Sequence, residues 1–437
     1  MPELGLSTFL PILDFVWRLI LALLPLAAVF LVVYIFFWLR VLYKRMLFIN
    51  KIEWALLEIR IPRDVYKSPL AMELVFINAM HQGSSGTWYQ ALIKEGRVPL
   101  WFSLEMVSIE GAVYFFILVP TNYRRSNFKD LLESQIYAQY PQAEINEVPD
   151  YTEGVKFGFE EGTWGIWGTE FILQKPDAYP IRTYIDYGVD KIANLEEKQK
   201  VDPITGVIEL LGSMGEGEQL WIQILVHRGQ KRFKDPKGWF KKRRWDKAAK
   251  EEIEEFKKKF RPVQKDPTKK EPEIRMSPGE KDVLTAMERK LEKPGFDCGI
   301  RVIYLAKPKK FKVGRITALL SSFKAYNTVS LNGFVDHNKT AFEFPWEDPK
   351  AVIKRARSNA LKEELLQAYK LRSFFNYPHR SRFVYEAIKY VKRKAFTLNS
   401  EELATIYHFP GGVSEAPTFE RLQFRKSEPP VNLPIAK

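Results

Sequence analysis

The sequence predicts an α+β protein in which one N-terminal transmembrane helix precedes two copies of a βαββαβ module, the second copy carrying a charged helical insertion. Three observations lead there. An uncharged apolar run fills Leu19 to Leu39. After it, strand and helix periodicities alternate in the order β, α, β, β, α, β, and that order then recurs.

The apolar run is closed by Arg18 and Arg40. About 20 residues at 1.5 Å each cross the roughly 30 Å hydrocarbon core, and a helix keeps its own backbone groups paired where no water reaches them. The run is too long, and too aromatic at Phe36, Phe37 and Trp38, for a cleaved signal peptide. Trp17, Tyr34, Trp38 and Tyr43 fall near the expected interfaces. Arg40, Lys44, Arg45 and Lys51 follow the run, whereas Arg18 alone precedes it and is offset by Glu3 and Asp14. Cations stay on the cytoplasmic side, so everything after residue 45 is expected in the cytoplasm.

Glu53–Ile61 alternates as a strand and stops at Pro62, and Pro69 opens a helix whose Leu70, Leu74 and Ile77 share a face. Leu100–Ile109 and Ala112–Val119 form two strands joined by a tight turn at Glu110-Gly111. Asn127–Tyr140 is a helix stopped by Pro141, and Ala143–Val148 closes the module. This order is the ferredoxin-like plan, two helices on one face of a four-stranded antiparallel sheet. The second copy has strands at Gly168–Gln174, Glu218–His227, Phe296–Ala306 and Thr328–Phe334, with helices at Pro203–Leu211 and Val313–Tyr326. The domains expected are therefore 1–50, 51–150, 151–336 with an insertion at 229–293, and a helical segment with a Pro-rich arm at 337–437.

Hydrophobic residues at 46% and charged ones at 27% exclude a disordered chain, and a net charge of +14 favours anionic lipid, nucleic acid or acidic partners. The only cysteine, Cys298, cannot form an internal disulfide, which fits a reducing compartment. In the insertion, Lys, Arg and Glu alternate, with Ile253, Phe256 and Phe260 as a narrow apolar stripe. It reads either as a solvated helical hairpin or as a membrane, partner or nucleic-acid contact through Trp239, Lys241, Lys242, Arg243, Arg244 and Trp245. Farther on, Leu398, Leu403 and Ile406 are placed to dock a short helix back on a module.

Catalytic signatures are weak. The run Gly333 to Thr340 comes nearest to a phosphate loop, but Asn338 replaces the second glycine and Phe344-Pro345 follows where a helix must start. His81, His227, His337, His379 and His408 have no second ligand at metal-binding spacing, and Ser84-Ser85 lies in no nucleophile elbow. Trp164, Trp167, Trp221 and Trp346 are expected in cores, because the aromatic motif of RNA-binding sheets is missing. No catalytic residue, cofactor or metal ligand is expected.

The stretches Ser103–Pro120, Ile136–Ile145, Gly295–Lys307, Ser322–Phe334, Asn399–Gly412 and Ala416–Pro434 resemble a family of membrane-anchored proteins of small-genome candidate-phyla bacteria. That family is similar to the amino-terminal part of conjugation or type IV secretion motor ATPases of the FtsK/HerA class. The most specific pieces are ELATIYHFP and PPVNLP, the second of which leads into the ATPase domain in such motors. The resemblance implies a non-enzymatic anchor and docking scaffold. Its partners would be the bilayer, a motor ATPase or other secretion subunits, and further copies of itself. The rival is a membrane-tethered auxiliary DNA-binding protein.

Overall fold

The computed structural model describes every residue except 1–5, 63–66, 83–85, 88, 124–125, 191–201, 237, 239–241, 261–275, 341–351, 376–392 and 411–437. The chain divides into two compact units, Met1–Lys51 with Ser85–Val98 and Asn376–Tyr390, and Ile52–Ser84 with Pro99–Phe375 and Val391–Lys437.

In the first unit, α1 (Leu6–Ile49) continues through Pro25 without a break. From Trp17 to Ile49 it is long and apolar enough to cross a membrane; its most apolar stretch is uncovered by protein, whereas Met46 and Ile49 near its end are buried. Asp14 and Arg18 pair at 2.9 Å, one turn apart. A short π-helical turn, Gln90–Lys94, belongs to the same unit.

The second unit is built on a single nine-stranded antiparallel sheet. Its strands are β1 (Trp54–Arg60), β2 (Phe102–Ile109), β3 (Ala112–Pro120), β4 (Glu144–Glu147), β5 (Gly165–Leu173), β6 (Glu218–Arg228), β9 (Gly295–Ala306), β10 (Phe334–His337) and β11 (Phe396–Asn399); β7 (Phe233–Lys234) and β8 (Lys242–Arg243) form a separate ribbon. The order across the sheet is β10-β5-β9-β6-β2-β3-β1-β4, with β11 beside β5 on the same edge of β9. The two repeats of the sequence therefore share one sheet, joined where β2 and β6 pair from Phe102↔Val226 to Ile109↔Gln219. Glu110 (φ 54°) and Gly111 (φ 93°) both take left-handed backbone between β2 and β3, the two-residue turn that matches strand twist.

Helices α2 (Leu70–Val75, running into a π-helical turn Phe76–Met80), α3 (Phe128–Gln139), α4 (Thr205–Gly212) and α7 (Val313–Ser322) follow the strands as the repeat requires. With α9 (Ser400–Ile406) they lie on one face, where Tyr407 packs against Phe76 and Phe115 and Ser108 Oγ donates to the Leu211 carbonyl. The other face carries α8 (Val352–Lys370), whose Leu365, Leu366 and Tyr369 pack on Leu56, Val107, Trp221 and Ile303. Trp221 is fully buried and Trp167 nearly so, as expected of core tryptophans, while Trp346 lies outside the described residues.

Two expectations need correction. The closing strand of the second repeat starts at Phe334, not Thr328, because Asn332 holds the preceding residues as a loop: its side chain bonds Lys175, Pro176 and Tyr179. The insertion is also more than a solvated hairpin. Its helices α5 (Trp245–Lys259) and α6 (Pro278–Glu292) bury Trp245, Ala249, Ile253, Val283 and Met287 in a core with Ala178.

Candidate functional site

Alternation along four neighbouring strands brings one polar residue from each to the same level of the α8 face. Glu105 stands opposite Gln223, Gln223 opposite Arg301, and Arg301 opposite Glu170. Glu105, Gln223 and Arg301 are 0% exposed and Glu170 is 2% exposed. Gln223 Nε2 donates to Glu105 at 2.8 Å, and Arg301 reaches Gln223 at 3.2 Å and Glu170 at 3.5 Å. A one-residue slip of any of these strands would part its polar side chain from these partners and bury it on the other face, so the row fixes the register.

The row is completed by residues far along the chain. Arg372 grips Glu105 with two bonds, at 3.0 and 3.1 Å, and also pairs with Asp150. Tyr151 donates to Glu105 at 2.8 Å. Arg393 donates to Glu170 at 2.7 Å and to Glu364 at 2.9 Å, and the Ser373 carbonyl accepts from Arg301 at 2.9 Å. Burial pushes the Glu105 carboxyl up, but Arg372, Ser103 and Gln223 outweigh it and hold the group below its ordinary value. Glu170 behaves likewise: burial raises it, and Arg393, Arg301 and Asn338 lower it further.

A second buried network anchors the segment from 396 to 410, every residue of which is buried. Leu398 and Leu403 are fully covered and Ile406 nearly so, as the docking of this segment requires. Asn399 and Glu402 form a capping box on α9. Glu402 meets Lys290 of α6 at 2.9 Å, with both side chains almost wholly covered. Lys293 bridges Glu73 (2.9 Å) and Glu401 (3.0 Å). Here burial wins: the Glu402 carboxyl is raised despite Lys290.

Four of the contact residues expected in the insertion are described, and they differ in exposure and pairing. Trp239 and Lys241 lie outside the described residues. Lys242 is exposed, Arg243 pairs with Glu251, and Arg244 sits 3.5 Å from Asp246. Trp245 is only 2% exposed and its ring lies where a Cβ on Gly295 would fall, 2.1 Å from Nε1. A side chain locked there cannot enter a headgroup layer. Arg243 and Trp245 meet instead at a cleft of about 200 Å³, whose rim includes Glu252 and Glu255. Of the cations expected to set the topology, Arg40, Lys44 and Arg45 lie on α1 and Lys51 just after it.

The residues nearest to a phosphate loop serve the sheet. Asn338 donates to Glu170, Lys339 pairs with Asp336 at 2.5 Å, and the Thr340 hydroxyl accepts from the Gly168 N–H. His408 meets Asp202 at 2.9 Å and His227 is buried against Phe375; His379 and Ser84-Ser85 lie outside the described residues. Among the described residues, no group of three His, Cys, Asp or Glu side chains is arranged to hold a metal ion.

Residues 85–417, which run from before β2 to beyond α9, match the model of a family described as a domain of unknown function (DUF8128). The chain belongs to that family. No curated protein matches it. The DUF8128 match takes in the whole buried row and the 396–410 segment, while β1, which sits between β3 and β4 in the sheet, precedes it.

Proposed function

We propose that this chain is a non-enzymatic, single-pass membrane anchor and docking scaffold, with its sheet unit in the cytoplasm beneath a bacterial inner membrane. The observation that carries the reading is α1: a helix with an uncovered apolar stretch, joined by only four residues, Asn50 to Glu53, to the first strand of a large, internally bonded sheet. The cations on its carboxy-terminal flank support the orientation.

Each half of the sheet is in this reading a ferredoxin-like module. The strand order is β4-β1-β3-β2 in one half and β10-β5-β9-β6 in the other, with the two helices of each repeat in contact, which supports that plan. The buried row supports a rigid platform, because its charges are paired with one another. The resemblance to the amino-terminal part of FtsK/HerA-class motors supports placing the scaffold in a type IV secretion or conjugation-like machine.

The test is direct. The full chain should resist carbonate extraction, keep an uncleaved amino terminus, and leave a periplasm-only reporter fused after Lys437 silent. Cleavage after the apolar run, or strong periplasmic activity, would overturn the anchor or its orientation. A motor ATPase encoded beside the gene and co-purifying with the protein would support the machine; salt-sensitive duplex binding lost on charge reversal of Lys242, Arg243 and Arg244 would favour the DNA-binding rival.

A further inference from the structure

We propose that the loop from Lys307 to Val313 is a docking surface for an acidic protein segment that carries apolar side chains between its carboxylates. Every residue from 307 to 314 is exposed, and the run holds Lys307, Lys309, Lys310 and Lys312 with no carboxylate. Phe311 is 38% exposed and Val313 70% exposed within it, so the patch offers apolar contact as well as charge.

Within the loop, Lys307, Lys309 and Lys310 have no carboxylate beside them in the sequence. The carboxylate at the neck of the loop, Glu218, is already engaged by Tyr304 at 2.6 Å, Lys312 at 3.1 Å and Arg315 at 3.5 Å. Burial pushes that carboxyl up, yet these bonds and the Gly215 N–H hold it at about 2, so it stays an anion committed to its own cations. Among the described residues no ion pair engages Lys307, Lys309 or Lys310; Lys307 lies over the Trp164 ring at 5.8 Å. The loop also leads straight into α7, whose first turn has no acidic residue and whose N-cap, Lys312, makes no side-chain cap, so the helix dipole adds to the same sign.

The occupant follows from what surrounds the loop. Exposed Glu160, Glu161 and Glu216, on the turns before β5 and β6 at the same end of the sheet, interrupt the basic surface, so it is short enough for a peptide and is not a continuous phosphate track. Phe311 packs on Tyr304 with centroids 5.0 Å apart and is not free to stack on a base; Val313 has nothing to offer a nucleotide. The inference does not depend on the secretion reading.

The experiment uses the full chain in nanodiscs of neutral phosphatidylcholine, with an environment-sensitive dye on Val313→Cys. Cys298 is fully buried and its thiol is pushed well above its ordinary value by burial and Asp297, so the engineered site alone is labelled. The probe is a synthetic peptide of glutamate pairs separated by single leucines. It should shift the dye emission saturably, and Lys309→Glu/Lys310→Glu should weaken its binding about tenfold, as like charge now faces like. A serine-for-leucine peptide should bind more weakly than the parent. The same dye on Val329→Cys, 98% exposed in the loop beyond the other end of α7, should not respond. No saturable shift, an equal response at Val329→Cys, or a stronger response to duplex DNA or to phosphatidylglycerol nanodiscs would overturn the proposal.

Discussion

Replacing Arg372 by Met should destabilise the sheet unit by about 3–5 kcal/mol, the usual cost of stripping one partner from a buried ion pair. Arg372 is 4% exposed at its side chain, and its removal leaves the wholly buried Glu105 with only neutral donors, from Ser103, Tyr151 and Gln223. With an unfolding entropy of about 2.1 cal/mol/K per residue over roughly 300 residues, that loss lowers Tm by about 5–8 °C. The pH dependence gives a sharper check. In the natural protein the Glu105 carboxyl lies below its ordinary value, so its stabilisation is full above the unfolded carboxylate range and is lost as pH falls through the lower, folded value. Without Arg372, burial dominates, the carboxyl rises, and the folded variant takes up a proton that the unfolded chain releases. The penalty should therefore be largest at neutral pH and shrink below about pH 5. Calorimetry or urea unfolding at both pH values measures it, and Glu105→Gln added to Arg372→Met should recover at least about 1 kcal/mol at pH 7. A loss under about 1 kcal/mol at neutral pH, or one that is the same at both pH values, would refute the account of the row.

Lys290→Met should loosen the 396–410 segment before the rest of the sheet, seen as faster amide hydrogen exchange there, and Glu402→Gln should partly restore protection because the stranded carboxylate is gone. His81 is pushed down to about 4 by burial and by Arg228 and Arg244, against a bond to the Gly295 backbone. Its share of stability is complete above the unfolded value of about 6.5 and lost as pH falls toward 4, so His81→Phe should flatten the stability profile in that window. Trp245→Ala should cost about 3–5 kcal/mol by emptying the insertion core, while leaving the affinity for anionic vesicles unchanged.

Strand positions were legible where one face is apolar at period two. Leu100–Ile109, Ala112–Val119 and Glu218–His227 each lie within two residues of the observed strands β2, β3 and β6. The Glu110-Gly111 turn was readable because few residue pairs accept two positive φ angles. The merging of two repeats was not legible, since pairing of β2 with β6 leaves no mark in either strand: each would alternate in the same way against solvent-side neighbours. The row was hidden for a related reason. Glu105, Gln223, Arg301 and Glu170 share the phase of apolar Val107, Trp221, Ile303 and Ile166, so no clean alternation marks them in the sequence as one buried row. A signal did exist in the arginines: Arg372, among Leu371, Phe374 and Phe375, is a costly residue in an apolar setting and needs a buried partner.

The edge of β9 is shared between β5, made earlier, and β11, made later, which imposes an order on biosynthesis. About 95 residues separate Arg301 from Phe396, so at roughly 5–20 residues per second the ribosome takes roughly 5–20 s to supply the strand that covers Cys298. Until then about a third of that edge, Gly295 to Cys298, is an unpaired template. The nascent chain passes through a stage at which its central strand is finished but uncovered, and a chaperone that shields strand edges would find its longest-lived substrate there.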